Sequence, residues 1–315
     1  MICESLSIVI PVYNSEESLP ILLERLSSLL PTVAERFEVI LVNDGSRDRS
    51  GEVVDRASAE RDWVVGIQLM RNFGQHNAVL AGIRKAKFET IVTMDDDLQH
   101  PPEEISRLLQ QLAEGFDVVY GFPKRESHGL WRDIASRITK LTLQTAMGVE
   151  VASRVSSFRA FRTQIRDAFS GYSGAFVSID VLLSWGTSRF SAILVSNPAR
   201  TLGKSNYTAK KLIVHALNMV TGFSILPLQL ASLLGFAFSF FGFCVLLFVL
   251  ERYVTHGKKV PGFAFLASIL SIFSGVQLFS IGIIGEYLAR MHFRLLDRPS
   301  YVIRAVSERA RSPIP

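Results

Sequence analysis

Ile91-Val92-Thr93-Met94-Asp95-Asp96-Asp97-Leu98-Gln99 sets an apolar, β-branched run directly against three adjacent carboxylates, and Pro101-Pro102-Glu103-Glu104 then starts a helix. The apolar run, Ile91 to Met94, predicts a strand. A strand that ends in carboxylates ahead of a helix places them where ligands bind in open α/β sheets, beyond the strands' carboxyl ends. Three neighbouring carboxylates repel one another unless a cation sits among them, and such oxygen ligands suit Mg²⁺ or Mn²⁺ bridging two phosphates. Asp95 and Asp97, two apart on an extended segment, point the same way. The alternative is an acidic loop that interacts with the N-terminus of the following helix.

Outward from this stretch, apolar runs alternate with helix-sized spacers: Ile8 to Pro11, Val39 to Val42, Val64 to Leu69, Ile91 to Met94 and Val118 to Tyr120 read as strands. The pattern predicts an α/β fold with a mostly parallel sheet. Polar residues collect at the strand ends: Tyr13 and Asn14 after the first, Asn43-Asp44-Gly45-Ser46 after the second. Asp44 reads as an acceptor for a nucleobase N–H, or more plainly as a turn residue. Arg71 to Asn77 follows the third strand and opens a helix in which Ala81 and Gly82 permit close packing; His76 reads as a wall residue. Neither a G-x-G-x-x-G nor a P-loop lysine motif follows any strand, which weakens dinucleotide and ATP readings. After Tyr120 the pattern loosens into a Gly121 to Gly129 loop and a basic amphipathic helix through Arg132, Arg137 and Lys140. Ser157-Phe158-Arg159 and the segment from Arg200 through Gly203 and Ser205 to Tyr207 supply forks and hydroxyls suited to a phosphate, or simply solvated cations.

Two long stretches, Lys211 to Glu251 and Lys259 to Glu286, contain no charged residue between their ends. Each exceeds the roughly 20 residues a spanning helix needs. The predicted spans are Pro227 to Leu250 and Pro261 to Tyr287, behind an interfacial lead-in. A buried hairpin in a soluble core is disfavoured because these stretches lack a polar face. Basic residues flank both spans more densely than they fill the Glu251 to Lys259 hairpin, which predicts a multi-pass membrane protein with both termini cytoplasmic. Met1 to Pro11 reads as a strand rather than a signal peptide, in keeping with that orientation. The boundaries are therefore a cytoplasmic catalytic domain over 1–206, an amphipathic helix over 207–226, two transmembrane helices over 227–288 and a basic tail over 289–315. The net charge of +5, clustered beside the spans, suits anionic headgroups and phosphates better than nucleic acid. The two cysteines, Cys3 and Cys244, form no disulfide framework.

Pro11-Val12-Tyr13-Asn14, Asn43-Asp44-Gly45-Ser46, Arg71-Asn72-Phe73-Gly74, Asp95-x-Asp97-Leu98-Gln99, Ser157-Phe158-Arg159 and Arg200-x-x-Gly203-x-Ser205 together resemble the family 2 glycosyltransferases of GT-A fold. Within them the chain is most similar to the polyisoprenyl-phosphate branch, which includes dolichyl-phosphate mannose synthases and bacterial undecaprenyl-phosphate sugar transferases. The resemblance implies inverting transfer from a nucleotide sugar, such as a UDP-sugar, to a polyisoprenyl phosphate at a bacterial inner membrane, with Mg²⁺ or Mn²⁺. It implies donor contacts from Pro11, Tyr13, Asn14, Asp44, Gly74, Asp95 and Asp96. It places Asp97, with Asp95, on the metal and Gln99 near the sugar, and turns Arg137, Arg159, Arg200 and Ser205 toward the acceptor phosphate. Relatives also form tetramers. A processive polysaccharide synthase is a rival reading, but no Gln-x-x-Arg-Trp motif is present; a non-catalytic lipid-binding or translocating protein is another, against which the three aspartates speak.

Overall fold

The computed structural model describes residues 2–123, 147, 151, 154–174, 177–196, 226–256, 263–296 and 298–309. The chain divides into two compact units, Met1–Leu212 with Asp297–Pro315, and Ile213–Leu296.

The first unit is built on one eight-stranded sheet. Its strands are β1 (Cys3–Val12), β2 (Ala34–Asn43), β3 (Val64–Leu69), β4 (Thr90–Thr93), β5 (Val118–Pro123), β6 (Arg159–Arg162), β7 (Phe190–Val195) and β8 (Ile303–Glu308). They run in the order β7-β5-β6-β4-β1-β2-β3-β8. β1 pairs in parallel with both β2 and β4, and β2 with β3, while β6 is antiparallel to β4 and β5 and β8 antiparallel to β3. The chain order reverses at β1 and β4, which makes that gap the switch point where a ligand crevice forms. The sheet is thus mostly parallel, as the alternation of runs predicts.

Helices α1 (Ser18–Val33), α2 (Ser50–Glu60), α3 (Gln75–Lys85), α4 (Ile105–Ala113) and α5 (Ile179–Ser184) connect the strands. α1 buries Leu19, Leu22, Leu23, Leu26 and Leu30, a stripe at helical spacing, against Leu6, Ile8, Ile10 and Val12 of one face of β1. Alternation along the strand turns Val9 to the other face, where α3 lies. A Cβ on Gly82 would come within 2.3 Å of Val9 Cγ1, so the small residue there sets how close α3 approaches the sheet. Pro11 is tolerated in this central strand because β4 pairs only with Leu6 to Val9, leaving no ladder bond on that side for its missing N–H.

β6, β7 and β8 were not legible as strands. β8 comes from the stretch read as a basic tail, and it is tied in by more than its ladder. Ser307 Oγ lies 2.9 Å from Ser58 Oγ, Lys87 pairs with Glu308 at 3.2 Å, and Ser300 Oγ donates to the Gly174 carbonyl at 2.8 Å.

The second unit contains α6 (Leu226–His256) and α7 (Phe263–Leu295). Within them Pro227–Arg252 and Ile272–His292 are long and apolar enough to cross a membrane; the second window lies further along the chain than Pro261 to Tyr287. The two helices meet through Phe238 and Phe273, edge to face with centroids 5.9 Å apart, and Phe273 passes close over Gly242. Phe236, Phe240, Leu266 and Leu278 are among their exposed apolar side chains. The segment expected to form an interfacial helix lies almost entirely outside the described residues.

Candidate active site

Four loops at the carboxyl ends of β1 to β4 meet at the switch point. The β1 and β2 loops are stitched together by short polar side chains. Asn14, in the left-handed region at φ 55°, accepts the Arg47 N–H at 2.8 Å, and its own N–H donates to Ser46 Oγ at 3.1 Å. Asn43 Oδ1 accepts from both the N–H and hydroxyl of Ser46. Ser15 and Glu16 bond toward the start of α2: the Ser15 N–H donates to Ser50 Oγ, and Glu16 accepts the Arg49 N–H at 2.9 Å.

Asp44, expected to accept from a nucleobase N–H, is 3% exposed, and its two oxygens accept the N–H groups of Phe73 and Gly74 at 2.7 and 2.9 Å. Burial raises its carboxyl above the ordinary range, against the pull of those two amides and the Arg71 charge. Asp44 therefore fastens the β3 loop to the β2 loop. Gly45 belongs to the same joint, at φ 64°, with a would-be Cβ only 2.6 Å from the Asn72 nitrogen. Gly45→Ala adds left-handed strain to a backbone clash, so a loss of about 2–4 kcal/mol is expected. Thermal unfolding of the purified variant measures it, and an unchanged midpoint contradicts the packing of this joint.

The acidic loop is held from several sides. Asp95 Oδ1 accepts from Gln75 Nε2 and Oδ2 from Ser157 Oγ, each at 2.6 Å. Asp96 Oδ2 accepts the Tyr13 N–H at 3.3 Å. Burial pushes Asp96 up to about 6, and the Asp95 and Asp97 charges add to this against the Ser15 and Tyr13 hydrogen bonds. Asp97 Oδ1 accepts the Gln99 N–H at 3.1 Å. The turn between them depends on Leu98, which adopts φ 63° and packs its side chain against the core. His100 Nδ1 accepts the Asp95 N–H at 3.5 Å, and its ring stacks on Phe158 at 5.2 Å. Among the described residues no Lys or Arg forms an ion pair with Asp95, Asp96 or Asp97. The residues present thus fit a divalent cation: hard oxygen donors carrying charge that no cationic side chain among the described residues pairs with. Among the described residues Asp95 has donors on both oxygens, whereas Asp97 accepts one hydrogen bond, from the Gln99 N–H, which makes Asp97 the more open ligand.

Of the other expected contacts, Tyr13, Asn14, Gly74 and Gln99 lie on these loops, while Pro11 is buried within β1. His76 Nδ1 accepts the Ile179 N–H at 3.3 Å, in keeping with a wall residue. Arg159, expected on the acceptor phosphate, is 2% exposed and ion-paired with Asp180 of α5. Arg137, Arg200 and Ser205 lie outside the described residues. Sequence reasoning missed Gln75, His100, Thr93 and Asp180; their roles depend on strand register and on contacts between distant segments.

A doubly wound sheet with an aspartate-rich loop at its switch point defines the class, a glycosyltransferase of GT-A architecture. The chain belongs to glycosyl transferase family 2, whose model matches residues 7–169. It is 38% identical over 313 residues to the undecaprenyl-phosphate 4-deoxy-4-formamido-L-arabinose transferase of Pseudomonas paraeruginosa, covering 98% of this chain and 92% of that protein. The transferase of the same description from Aeromonas hydrophila is 36% identical over 310 residues, covering 98% and 95%. Among solved structures, glucosyl-3-phosphoglycerate synthase from Mycobacterium tuberculosis, in complex with Mn²⁺, uridine diphosphate and glucosyl-3-phosphoglycerate, matches with a TM-score of 0.52 at 19% identity. That match covers 69% of this chain and 78% of the synthase, and it shows the fold.

Proposed function

We propose that this glycosyltransferase moves a sugar from a uridine-diphosphate donor to undecaprenyl phosphate at the cytoplasmic face of a bacterial inner membrane, with inversion at the anomeric carbon. The observation that carries the reading is the Asp95-Asp96-Asp97 loop, with which no Lys or Arg among the described residues pairs, at the switch point of a chain similar to undecaprenyl-phosphate transferases over nearly its whole length. Those relatives make 4-deoxy-4-formamido-L-arabinose the first candidate sugar.

Asp97 would hold Mg²⁺ or Mn²⁺, with donor phosphate oxygens completing the coordination. Among the described residues no three His, Cys, Asp or Glu side chains converge on one point, a pattern that suits an ion shared between one or two carboxylates and a diphosphate. Such an ion would neutralise charge on the departing diphosphate. Asp95, oriented by Gln75 and Ser157, presents its remaining lone pairs to a donor hydroxyl. Tyr13, Asn14 and Gly74 border the same space. The acceptor is a phosphate monoester with a second pKa near 6, so at neutral pH it is largely a dianionic nucleophile already. No residue has to take its proton, and the Ser157 hydroxyl already directs its own to Asp95. What the protein supplies is alignment and charge. Arg137, Arg200 and Ser205 are our proposed contacts for the acceptor phosphate.

The pairing of β8 with β3 supports the cytoplasmic orientation, because it ties residues after α7 to residues before α6 in one sheet. Basic residues such as Arg290, Arg294 and Arg298 near that junction favour the cytoplasmic side.

Purified protein in detergent, given undecaprenyl phosphate, Mg²⁺ or Mn²⁺ and a panel of UDP-sugars, should release UDP only when lipid and metal are both present. Release that ignores the lipid contradicts the acceptor, and release that survives chelation contradicts the metal.

A further inference from the structure

β6 enters the sheet antiparallel to β4, with Arg162 opposite Thr90 and Arg159 opposite Thr93. Carried two residues past the strand ends, that register sets Ser157 opposite Asp95, and there the Ser157 hydroxyl donates to Asp95 Oδ2. A line of hydrogen bonds runs back from this point into the core. Thr93 Oγ1 donates to the Ser157 carbonyl at 2.6 Å and accepts from Arg159 Nε at 3.0 Å. A threonine hydroxyl has a single proton, so with a guanidinium N–H on its lone pair that proton is committed to Ser157. Arg159 is in turn ion-paired with Asp180 on α5, and the Tyr120 hydroxyl donates to the same Asp180 oxygen at 3.1 Å.

We infer that the buried Arg159–Asp180 pair and Thr93 form a positioning relay that fixes Ser157, and through it the orientation of Asp95. This rests on the reading of Asp95 as part of the donor site. A buried ion pair contributes little net stability over an apolar pair of the same shape, yet it fixes direction, because Arg159 Nε is aimed at Thr93 Oγ1 while the same guanidinium is held by Asp180. Networks of this kind strengthen in a low-dielectric interior. The outcome is a carboxylate held from two sides, by Gln75 and by Ser157, before any donor arrives. Catalytic groups held less firmly lose rate steeply with displacement.

Thr93→Val keeps the β-branched shape on the strand and removes only the hydroxyl. We expect its kcat to fall by about 10- to 100-fold, with the acceptor KM within about twofold of wild type. The dissociation constant for UDP with Mn²⁺, read by calorimetry, should rise about tenfold, and Thr93→Ser should recover both to within about threefold. Ser157→Ala tests the last link independently of packing around Thr93; it should show the same losses, and the double variant should lose no more than Ser157→Ala alone. Wild-type binding and turnover in Thr93→Val, equal defects in Thr93→Ser and Thr93→Val, or additive losses in the double variant would each overturn the relay. The nucleotide titration needs no lipid. A wild-type enzyme that binds UDP and Mn²⁺ but transfers nothing to undecaprenyl phosphate overturns the acceptor assignment and leaves the relay testable; one that binds neither overturns both.

Discussion

Asp97→Asn is expected to lose at least about a thousandfold in turnover while unfolding at the same temperature as the parent. The substituted amide keeps an oxygen that can accept the Gln99 N–H, so the turn through Leu98 survives. What disappears is one of the charges that attract a divalent ion, in a loop with which no lysine or arginine among the described residues forms an ion pair. Two phosphate groups must approach each other during the reaction, and without the ion the leaving diphosphate carries its charge unscreened. Turnover and Mn²⁺ titration by electron paramagnetic resonance, run on the same preparation, measure the two effects together. Near-normal activity at ordinary metal concentrations would remove Asp97 from the metal site.

The largest stability effect is expected at Asp180. Arg159 and Asp180 are 2% and 6% exposed, so Asp180→Ala leaves a guanidinium without a counter-charge inside the sheet. The expected cost is about 3–5 kcal/mol, or roughly 10 °C in the unfolding midpoint for a domain of this size. Tyr120 loses its acceptor in the same variant. Its phenol, which burial and the Asp180 charge push well above the usual range, stays protonated and unpaired. Replacing both charges, Arg159→Met with Asp180→Leu, should recover most of the stability, because the cost comes from the orphaned charge rather than from a lost net attraction. Thermal unfolding in detergent reads both variants. A midpoint for Asp180→Ala within a degree or two of wild type would mean that Arg159 finds another partner, contrary to this account of the core.

These two residues also mark how far the sequence can be read. Asp97 stands out in the sequence because three carboxylates in a row after an apolar run have few uses, and because the alternation of β1 to β5 places such a run at the carboxyl end of a strand. Arg159 is harder to read. A lone arginine beside a serine looks like a phosphate fork until its partner is known, and that partner, Asp180, sits 21 residues away on a short helix. Asp44 is similar: Asn-Asp-Gly-Ser signals a polar turn, but only the fold brings the Phe73 and Gly74 amides onto the carboxylate. β6 and β8 escaped notice because their alternate positions carry arginine, glutamate and serine. A four-residue central strand that buries an arginine on an ion pair has no apolar run to reveal it. α6 and α7 were plain, since uncharged stretches of that length have a single common meaning.

The most direct test of the central claim is the structure of the lipid product. Enzyme, Mn²⁺, undecaprenyl phosphate and UDP-4-deoxy-4-formamido-L-arabinose would be incubated together, with UDP-glucose in parallel, and the extracted lipid examined by mass spectrometry and NMR. The account predicts one sugar joined through its anomeric carbon to the lipid phosphate, in the configuration opposite to that of the donor. A product with retained configuration, a chain of several sugars, or a sugar joined through the departing nucleotide's phosphate would contradict it.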